Sequence, residues 1–402
     1  MMTDLRLAVI ADDFTGAMDT GVMFANVGLH TEFYLSEAPV CDDVEVTVIN
    51  TNSREKDIQS AVAAVKQSVS KITSRKLFKK IDSTMRGHIA TEIETLLQIT
   101  GIEKALICPS AIAVGRIVRD GILFVNETPL HETAFAKDPH YPATTSQLQE
   151  ILTHSSSMHI NQESLSRGNA EVLDTIRRSS TKLVSCDAVS DDDLTAISQI
   201  AIDGDYLPCG SMGLASTWIK NLLGDVAREE TLPKISINSE KSLLIITGSR
   251  HPVTRKQIET LSQYASTYVV EISEQVQLSA VYDDVTSQHS QYETIVLGTP
   301  STRITDRTIM NHIYSVMRDL LKRLCDESWF AGMVIVGGET AFHVCQSLGA
   351  NAIRILGEIE GGVPVGQMIG GCANSLPIVT KAGGYGTDST LCHVVDWLKL
   401  QD

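Results

Sequence analysis

The sequence predicts an α/β protein of two domains, each a largely parallel sheet flanked by helices. Three observations lead there. Apolar runs of strand length alternate with helical patterns almost to the end of the chain, the signature of a parallel sheet covered on both faces. The chain has 402 residues, more than one typical core supports. A polar stretch with little periodicity, Gly224–Lys241, carries Pro233 and interrupts the alternation near the middle. Such a stretch reads as a lead into a second domain, which sets the expected domains at residues 1–225 and 240–402.

Composition narrows the function classes. A hydrophobic content of 43% with 20% charged residues suits a soluble globular protein. The formal charge of −16 argues against nucleic acid as partner, because that affinity rests on Lys and Arg neutralising phosphates. Any small anionic substrate must then meet a local basic cluster. No basic apolar leader and no apolar run of about 20 residues is found, so neither export nor a membrane span is expected. Cys41, Cys108, Cys186, Cys209, Cys325, Cys345, Cys372 and Cys392 are scattered, without CxxC. They read as core thiols of a cytoplasmic protein, and no metal-ligand cluster is seen among His and Cys.

Leu5–Ile10 is a short apolar strand, broken by Ala11–Asp12–Asp13–Phe14–Thr15. A helix opens at Gly16, and Ala17, Gly21, Phe24, Ala25 and Gly28 share one face at helical spacing. Asp13 or Thr15 can cap that helix, a contribution of about 1 kcal/mol. One cap needs one acid, so Asp12 is the spare. Val44–Asn50 is a strand whose carboxyl end carries Arg54, and Lys56–Ser70 is helical. The strand Leu77–Ile81 runs into the loop Asp82–Gly87 and the helix His88–Ile99. Ala105–Cys108 is a strand stopped by Pro109, and Pro109–Pro142 reads as irregular, a length of connection that is usually functional. Met158–Ile160, Lys182–Cys186 and Asp205–Pro208 are further strands, the last running into Gly210–Ser211–Met212–Gly213.

The second half restarts with the strand Ser242–Thr247, the turn Gly248–Ser249 and a helix from Pro252 to Ala265. Thr294–Leu297 is a strand and Thr305–Ser328 a long helix. The apolar strand Gly332–Val336 ends in Gly337–Gly338–Glu339–Thr340 and a helix through Leu348. Ile353–Glu360 is a strand, Gly361–Gly366 a glycine-rich link, and Pro377–Thr380 a strand. Lys381–Ala382–Gly383–Gly384–Tyr385–Gly386 then leads to a final helix, Ser389–Leu400.

Two kinds of constellation carry chemistry. In the first half, Asp12 and Asp13, Arg54, and Asp82–Ser83–Thr84–Met85–Arg86–Gly87 all sit at strand ends, where open α/β sheets bind ligands. Arg54 and Arg86 each offer a planar fork suited to carboxylate or phosphate. Ser83, Thr84 and nearby backbone N–H groups add neutral donors. In the second half, Gly248–Ser249, Gly337–Thr340 and Gly383–Gly386 are small-residue turns near strand ends. Such turns let backbone N–H groups approach an anion, and three in one domain suggest a polyphosphate site. Neither GxxxxGK followed by Ser or Thr nor a clean GxGxxG is present.

These residues, with ADDFTGAMDTGVMFA, KKIDSTMRGHIATEIE, PSAIAVGRIVRDG followed by DPHYP, GSMGLA, GSRHPVTRKQI, GGETAFHVC and KAGGYG in this order, resemble the four-carbon acid sugar kinase family. The resemblance spans essentially the whole chain. It implies phosphorylation of D-threonate, D-erythronate or 3-oxo-tetronate with ATP, the acid held by the N-terminal domain and ATP by the C-terminal one. It places the substrate at Asp12, Arg54, Asp82, Ser83, Thr84 and Met85, with Arg86 beside them. It places the nucleotide at Ser249, Gly337, Gly338, Glu339, Thr340, Gly383 and Gly384. Ala111–Ile112–Ala113 stands where many relatives carry a more aromatic, proline-bearing stretch, a difference that bears on substrate choice.

The expected reaction is transfer to the terminal hydroxyl of the acid, D-threonate or D-erythronate first, in the cleft between the domains. Asp12 is the candidate general base. An ordinary carboxylate suffices, because the proton leaves late in a loose phosphoryl-transfer transition state. Mg²⁺ is expected with ATP, met by Asp82, Asp13 or Glu339, with no dedicated metal cage. The expected partners are the acid and ATP, and a homodimer is compatible with the sequence. A dinucleotide-dependent dehydrogenase would show GxGxxG with an acid about 20 residues on. A non-catalytic sugar-acid sensor would keep Arg54 and Arg86 without needing the glycine turns of the second domain.

Overall fold

The structure is a computed structural model. It describes residues 6–35, 41, 43–72, 74, 76–138, 140–152, 157–224, 232–238, 240–273, 275–299 and 307–401. The starts expected at Leu5 and Thr305, and positions 225–231 of the polar stretch, lie outside the described residues. The chain divides into two units, Met1–Glu230 and Thr231–Asp402. Among the described residues no helix is long and apolar enough to cross a membrane.

In the first unit, β1 (Leu7–Ala11) is wholly buried and stops at the acid pair. Asp13 is the N-cap of α1 (Phe14–Ala25), accepting from the Gly16 N–H, one of the donors a first helical turn leaves unpaired. The helix therefore opens at Phe14 rather than Gly16, and Gly28 lies past its end. Next come β2 (Thr31–Tyr34), β3 (Val46–Asn50), α2 (Ile58–Val69), β4 (Lys76–Lys80), α3 (Ile89–Thr100) and β5 (Ala105–Cys108). β6 (Arg116–Arg119), β7 (Ile122–Val125) and β8 (Thr128–Pro129) form a small antiparallel sheet. The unit ends with α4 (Leu148–Ile151), β9 (Ser157–Ile160), α5 (Gln162–Ser166), α6 (Asn169–Arg178), β10 (Leu183–Cys186), α7 (Asp191–Gly204), β11 (Leu207–Gly210) and α8 (Met212–Leu223).

The main sheet of this unit runs β2-β3-β1-β4-β11-β5-β10-β9. Its described pairings are all parallel. Helix α1 is buried on most of its surface rather than along one stripe, because it packs on both β3 and α8. Phe24 and Phe78 meet the Trp218 ring of α8 at 6.2 and 5.6 Å between centroids.

The region expected to be irregular, Pro109–Pro142, instead contains the small sheet. Asp120 and Gly121 join β6 to β7, and Asn126 and Glu127 join β7 to β8. All four have positive φ, 52°, 74°, 48° and 63°, as two-residue hairpin turns require. The Asp–Gly pair was the available signal. The strands are too short to show alternation.

In the second unit, β12 (Ser242–Thr247) is followed by α9 (Pro252–Tyr264), β13 (Thr267–Glu271), α10 (Leu278–Gln288), β14 (Thr294–Gly298), α11 (Arg307–Asp326), β15 (Phe330–Val336) and α12 (Gly338–Ser347). Then come β16 (Ala352–Glu358), β17 (Pro364–Ile369), β18 (Pro377–Lys381) and α13 (Thr390–Lys399). The sheet order is β13-β14-β12-β15-β18-β17-β16, parallel up to β18 and antiparallel beyond it. The glycine-rich stretch 361–366 is not simply a link, since β17 starts at Pro364. Gly366 there pairs with Ile355 next to a β-bulge, a place where glycine is common inside a strand. Ile235 and Ile237 of the polar stretch are buried in the core of this unit.

Candidate active site

Three adjacent strands build the first constellation. β1 lies between β3 and β4, so the chain leaves β1 for opposite sides, the arrangement at which open α/β sheets form a ligand crevice. The Ser53 and Arg54 N–H groups donate to the Asp12 carbonyl at 3.0 and 3.2 Å. The Arg54 side chain is thereby aimed back over β1. Its Nε and Nη2 donate to Asp12 Oδ2 and Oδ1 at 2.7 and 2.8 Å, and Nη2 also to Asp13 Oδ1 at 2.8 Å. Arg86 repeats the pattern on Asp82, Nε to Oδ2 at 2.8 Å and Nη2 to Oδ1 at 2.9 Å. Arg54 Nη1 lies 3.7 Å from Asp82 Oδ1 and links the two pairs. Gly87 closes the cluster at φ 98°, and a Cβ there would stand 3.0 Å from Asp12 Oδ2, so only glycine fits without displacing the acid.

The electrostatics follow from this packing. Burial alone would raise the Asp12 carboxyl, but Arg54, with Lys79 and Lys80, holds it below its ordinary value. Asp82 is likewise raised by burial yet held well below that value by Arg54 and Arg86. Both acids stay ionised at neutral pH. The two guanidiniums therefore do not present empty forks: one edge of each is spent on a carboxylate, and the Nη1 end lies within ion-pair distance of a second, Asp82 for Arg54 and Asp138 for Arg86. Beneath them, Lys79 and Glu92 form a buried pair at 2.7 Å. Ser53 Oγ donates to Glu92 at 2.6 Å, anchoring the Arg54 loop from below. Lys80 is different. Its Nζ donates to the Ile81 carbonyl at 2.8 Å, and no carboxylate lies within ion-pair distance of it among the described residues. It is the cation of the cluster without a carboxylate of its own.

Of the other expected substrate positions, Thr84 donates its N–H to Asp82 at 3.2 Å and Ser83 is half-buried beside it. Met85 has φ 62°, its side chain lies in the apolar core and its N–H donates to the Asp82 carbonyl at 2.9 Å, so its carbonyl is the group left to meet a ligand. The sequence reading missed Phe135, Asp138 and Tyr141. The Phe135 ring lies 5.7 Å from the Arg86 guanidinium. Asp138 Oδ2 is 3.6 Å from Arg86 Nη1, and the Tyr141 hydroxyl donates to the Arg54 carbonyl. The signal for them was the length of the connection that carries them, together with the DPHYP motif.

The second constellation is built on β12, β15 and β18, again adjacent and parallel. Their carboxyl ends carry the three glycine turns, so the topology sets them side by side. The Gly248 N–H donates to Thr340 Oγ1 at 3.1 Å, and the Gly337 N–H to the Lys381 carbonyl at 2.8 Å. The Thr254 hydroxyl lies 3.0 Å from Ser249 Oγ and 2.6 Å from the Gly383 carbonyl. A Cβ on Gly383 would stand 2.3 Å from Ser249 Oγ. Gly338 opens α12, with Gly337 at φ 105° as its N-cap. Ser249, Gly337, Gly338, Thr340, Gly383 and Gly384 are thus brought together within one unit. Glu339 stands at the start of the same helix with its side chain 76% exposed. Thr254 and Lys381 were not singled out by the sequence.

Comparison with known proteins decides the family. A model described as a sugar-binding N-terminal domain matches residues 7–218. A second, described as a nucleotide-binding C-terminal domain, matches residues 244–391. A Salmonella typhimurium relative named D-threonate kinase is 30% identical, the match covering 98% of this chain and 99% of the relative. The chain belongs to the four-carbon acid sugar kinase family. A D-threonate kinase of Bordetella bronchiseptica is 29% identical over 98% of this chain and 97% of its own length. A D-erythronate kinase of Heliobacterium modesticaldum is 26% identical over 98% and 97%. Among solved structures, Haemophilus influenzae protein HI1011 superposes with a TM-score of 0.77 at 20% identity, over 97% of this chain and 100% of that one. That likeness supports the fold of this family member.

Proposed function

We propose that this kinase transfers the γ-phosphoryl group of ATP to the terminal hydroxyl of D-threonate, with D-erythronate as the runner-up and 3-oxo-tetronate third. The observation that carries the reading is the pairing of two unlike constellations at strand ends. One offers directional, charged side chains on β1, β3 and β4. The other offers backbone N–H groups on β12, β15 and β18. Triphosphate oxygens are numerous and close together, which suits glycine-turn amides and the N-terminus of α12. A small acid with stereodefined hydroxyls needs directional side chains, which Asp12, Arg54, Asp82 and Ser83 supply. We assign the acid to residues 1–225 and the nucleotide to residues 240–402.

In this mechanism the substrate carboxylate is met by the Nη1 ends of Arg54 and Arg86 and by the Lys80 ammonium. The Asp12 carboxylate, kept ionised by Arg54, accepts the hydroxyl proton as the oxygen bonds to the γ-phosphorus. The bond from that phosphorus to the bridging oxygen breaks, and ADP leaves. General-base help of this kind is worth roughly 10²–10⁴ in rate. Amides of the glycine turns stabilise charge on the transferring oxygens. Mg²⁺ belongs to the reading as MgATP. Among the described residues no three His, Cys, Asp or Glu side chains gather as a cage. One exposed carboxylate, Glu339, fits a cation that keeps its waters and rides on the phosphates. Both oxygens of Asp82 are held by Arg86, and Asp13 Oδ1 is held by Arg54 and the Gly16 N–H, which favours Glu339 over either. Buried free thiols such as Cys108 and Cys209 suit a cytoplasmic setting.

The test is ADP release from the full chain with MgATP and, in turn, D-threonate, D-erythronate, 3-oxo-tetronate and L-threonate. D-threonate should give the highest kcat/KM. If none of the four raises ADP release above the acid-free rate, the reading fails.

A further inference from the structure

The loop at residues 382–387 has an asymmetry that its sequence does not show. Four of its carbonyl oxygens, those of Ala382, Gly383, Tyr385 and Thr387, are engaged by side chains. Those of Ala382 and Tyr385 each accept from Lys381 Nζ at 2.8 Å. Gly383 accepts from Thr254 at 2.6 Å. Tyr385 and Thr387 accept from Gln257 Nε2 at 3.0 and 2.7 Å. The N–H groups of Gly383, Gly384 and Gly386, by contrast, have no hydrogen-bond partner among the described residues. A glycine turn repels phosphate with its carbonyls as strongly as it attracts it with its amides. In this loop the carbonyls of Ala382, Gly383, Tyr385 and Thr387 are occupied elsewhere, which favours an anion at its amides.

We propose that Lys381 is a positioning residue of the nucleotide site, whose ammonium holds the Ala382 and Tyr385 carbonyls inward and so helps present the Gly383, Gly384 and Gly386 amides to the triphosphate. The inference rests on the assignment of nucleotide to this unit. Lys381 ends β18 and is only 3% exposed. Its own carbonyl receives the Gly337 N–H at 2.8 Å, so it ties the second glycine turn to the third. No carboxylate lies within ion-pair distance of its ammonium among the described residues. Of the buried lysines of the first unit, Lys79 has Glu92 at 2.7 Å, whereas Lys80, like Lys381, donates to a carbonyl. A buried ammonium held on carbonyls alone is charge that an incoming anion compensates.

The same burial makes the site sensitive to pH. Desolvation lowers the Lys381 ammonium to about 8, opposed by the attraction of Glu360. Glu360 precedes β17 and is itself bound by Thr390 and His393 of α13. His251, the N-cap of α9, stands beside Gly384, Tyr385 lies in the loop, and Asp388 follows it directly. Nucleotide binding favours the protonated ammonium, so affinity should be full below pH 8 and fall above it.

The experiment is titration of the full-length protein with a fluorescent trinitrophenyl ATP between pH 7 and 9.5. In the wild type, Kd should rise by up to about tenfold per pH unit once Lys381 deprotonates. Lys381→Met should raise Kd at pH 7.5 by at least about tenfold. Its KM for the sugar acid should stay within a factor of about two, since no acid-binding group is touched. Lys381→Arg keeps the charge without titrating, so it should bind at pH 7.5 and lose the alkaline rise. Should the Met variant fail to fold, the wild type and the Arg variant carry the test between them. The proposal is overturned if Lys381→Met binds like the wild type, or if Lys381→Arg keeps the alkaline rise. A wild type that binds no analogue at any pH overturns the nucleotide assignment itself.

Discussion

Asp12→Asn removes one charge and little volume, and the contacts around the side chain set its cost. Asp12 accepts two bonds from Arg54, at 2.7 and 2.8 Å. The amide keeps one acceptor and turns an NH₂ toward the other guanidinium donor. One charge-assisted bond is lost, about 1.5–3 kcal/mol. Breaking a buried ion pair outright costs about 3–5 kcal/mol, but Asp13 still holds Arg54 at 2.8 Å, so the lower range applies. For a unit of this size that is roughly a 3–12 °C fall in Tm, leaving a folded enzyme to assay. If Asp12 takes the hydroxyl proton, kcat should drop at least about 10²-fold. The KM for ATP should hardly move, since no nucleotide group is touched. Coupled ADP release at saturating substrates measures the first, and variation of ATP the second. Asp13→Asn is the comparator. Asn caps a helix about as well as Asp, so α1 should persist and kcat should fall far less. An Asp12→Asn enzyme with wild-type kcat, or a larger loss in Asp13→Asn, refutes the assignment of the base.

The same geometry gives three further outcomes. Arg54→Ala removes the main influence lowering the Asp12 carboxyl while burial continues to raise it; the acid limb of kcat/KM should move to higher pH, and the KM for the acid should rise roughly 10–100-fold through loss of charge-assisted contacts. Gly87→Ala puts a Cβ 3.0 Å from Asp12 Oδ2 at φ 98°; Tm should fall by several degrees, for a strain of about 1–2 kcal/mol, and kcat should fall with it. Gly338→Trp puts bulk on the first turn of α12; calorimetry should show ATP binding abolished and sugar-acid binding nearly intact, and the reverse order of loss would contradict the division between the two units.

What the sequence disclosed depended on how local each feature is. Strand ends marked by Asp12–Asp13, Asp82–Arg86 and the glycine turns are written in a few consecutive residues, and the structure gathers them into one cluster per unit. That Arg54 is already engaged by Asp12 and Asp13 depends on residues about 40 positions apart, which no local pattern encodes. The sequence therefore suggested open forks where the structure shows paired ones. Asp138 and Tyr141 reach the site only because β6–β8 fold the connection back, and the Asp120–Gly121 turn that permits this is a two-residue signal flanked by strands too short to frame it. Strand β2 was hidden because a buried Glu32 interrupts its apolar run; the structure satisfies that acid with the Tyr34 hydroxyl at 2.6 Å. Lys381 looked like one more cation before a glycine turn, and only burial and its carbonyl partners set it apart.

The most direct measurement is of the product. The enzyme incubated with MgATP and D-threonate should yield a phosphate ester whose ³¹P resonance couples to a CH₂ group, the mark of phosphorylation at the terminal carbon, with one ADP formed per ester. ADP accompanied by inorganic phosphate alone, or an ester coupled to a single CH proton, would contradict terminal-hydroxyl phosphorylation.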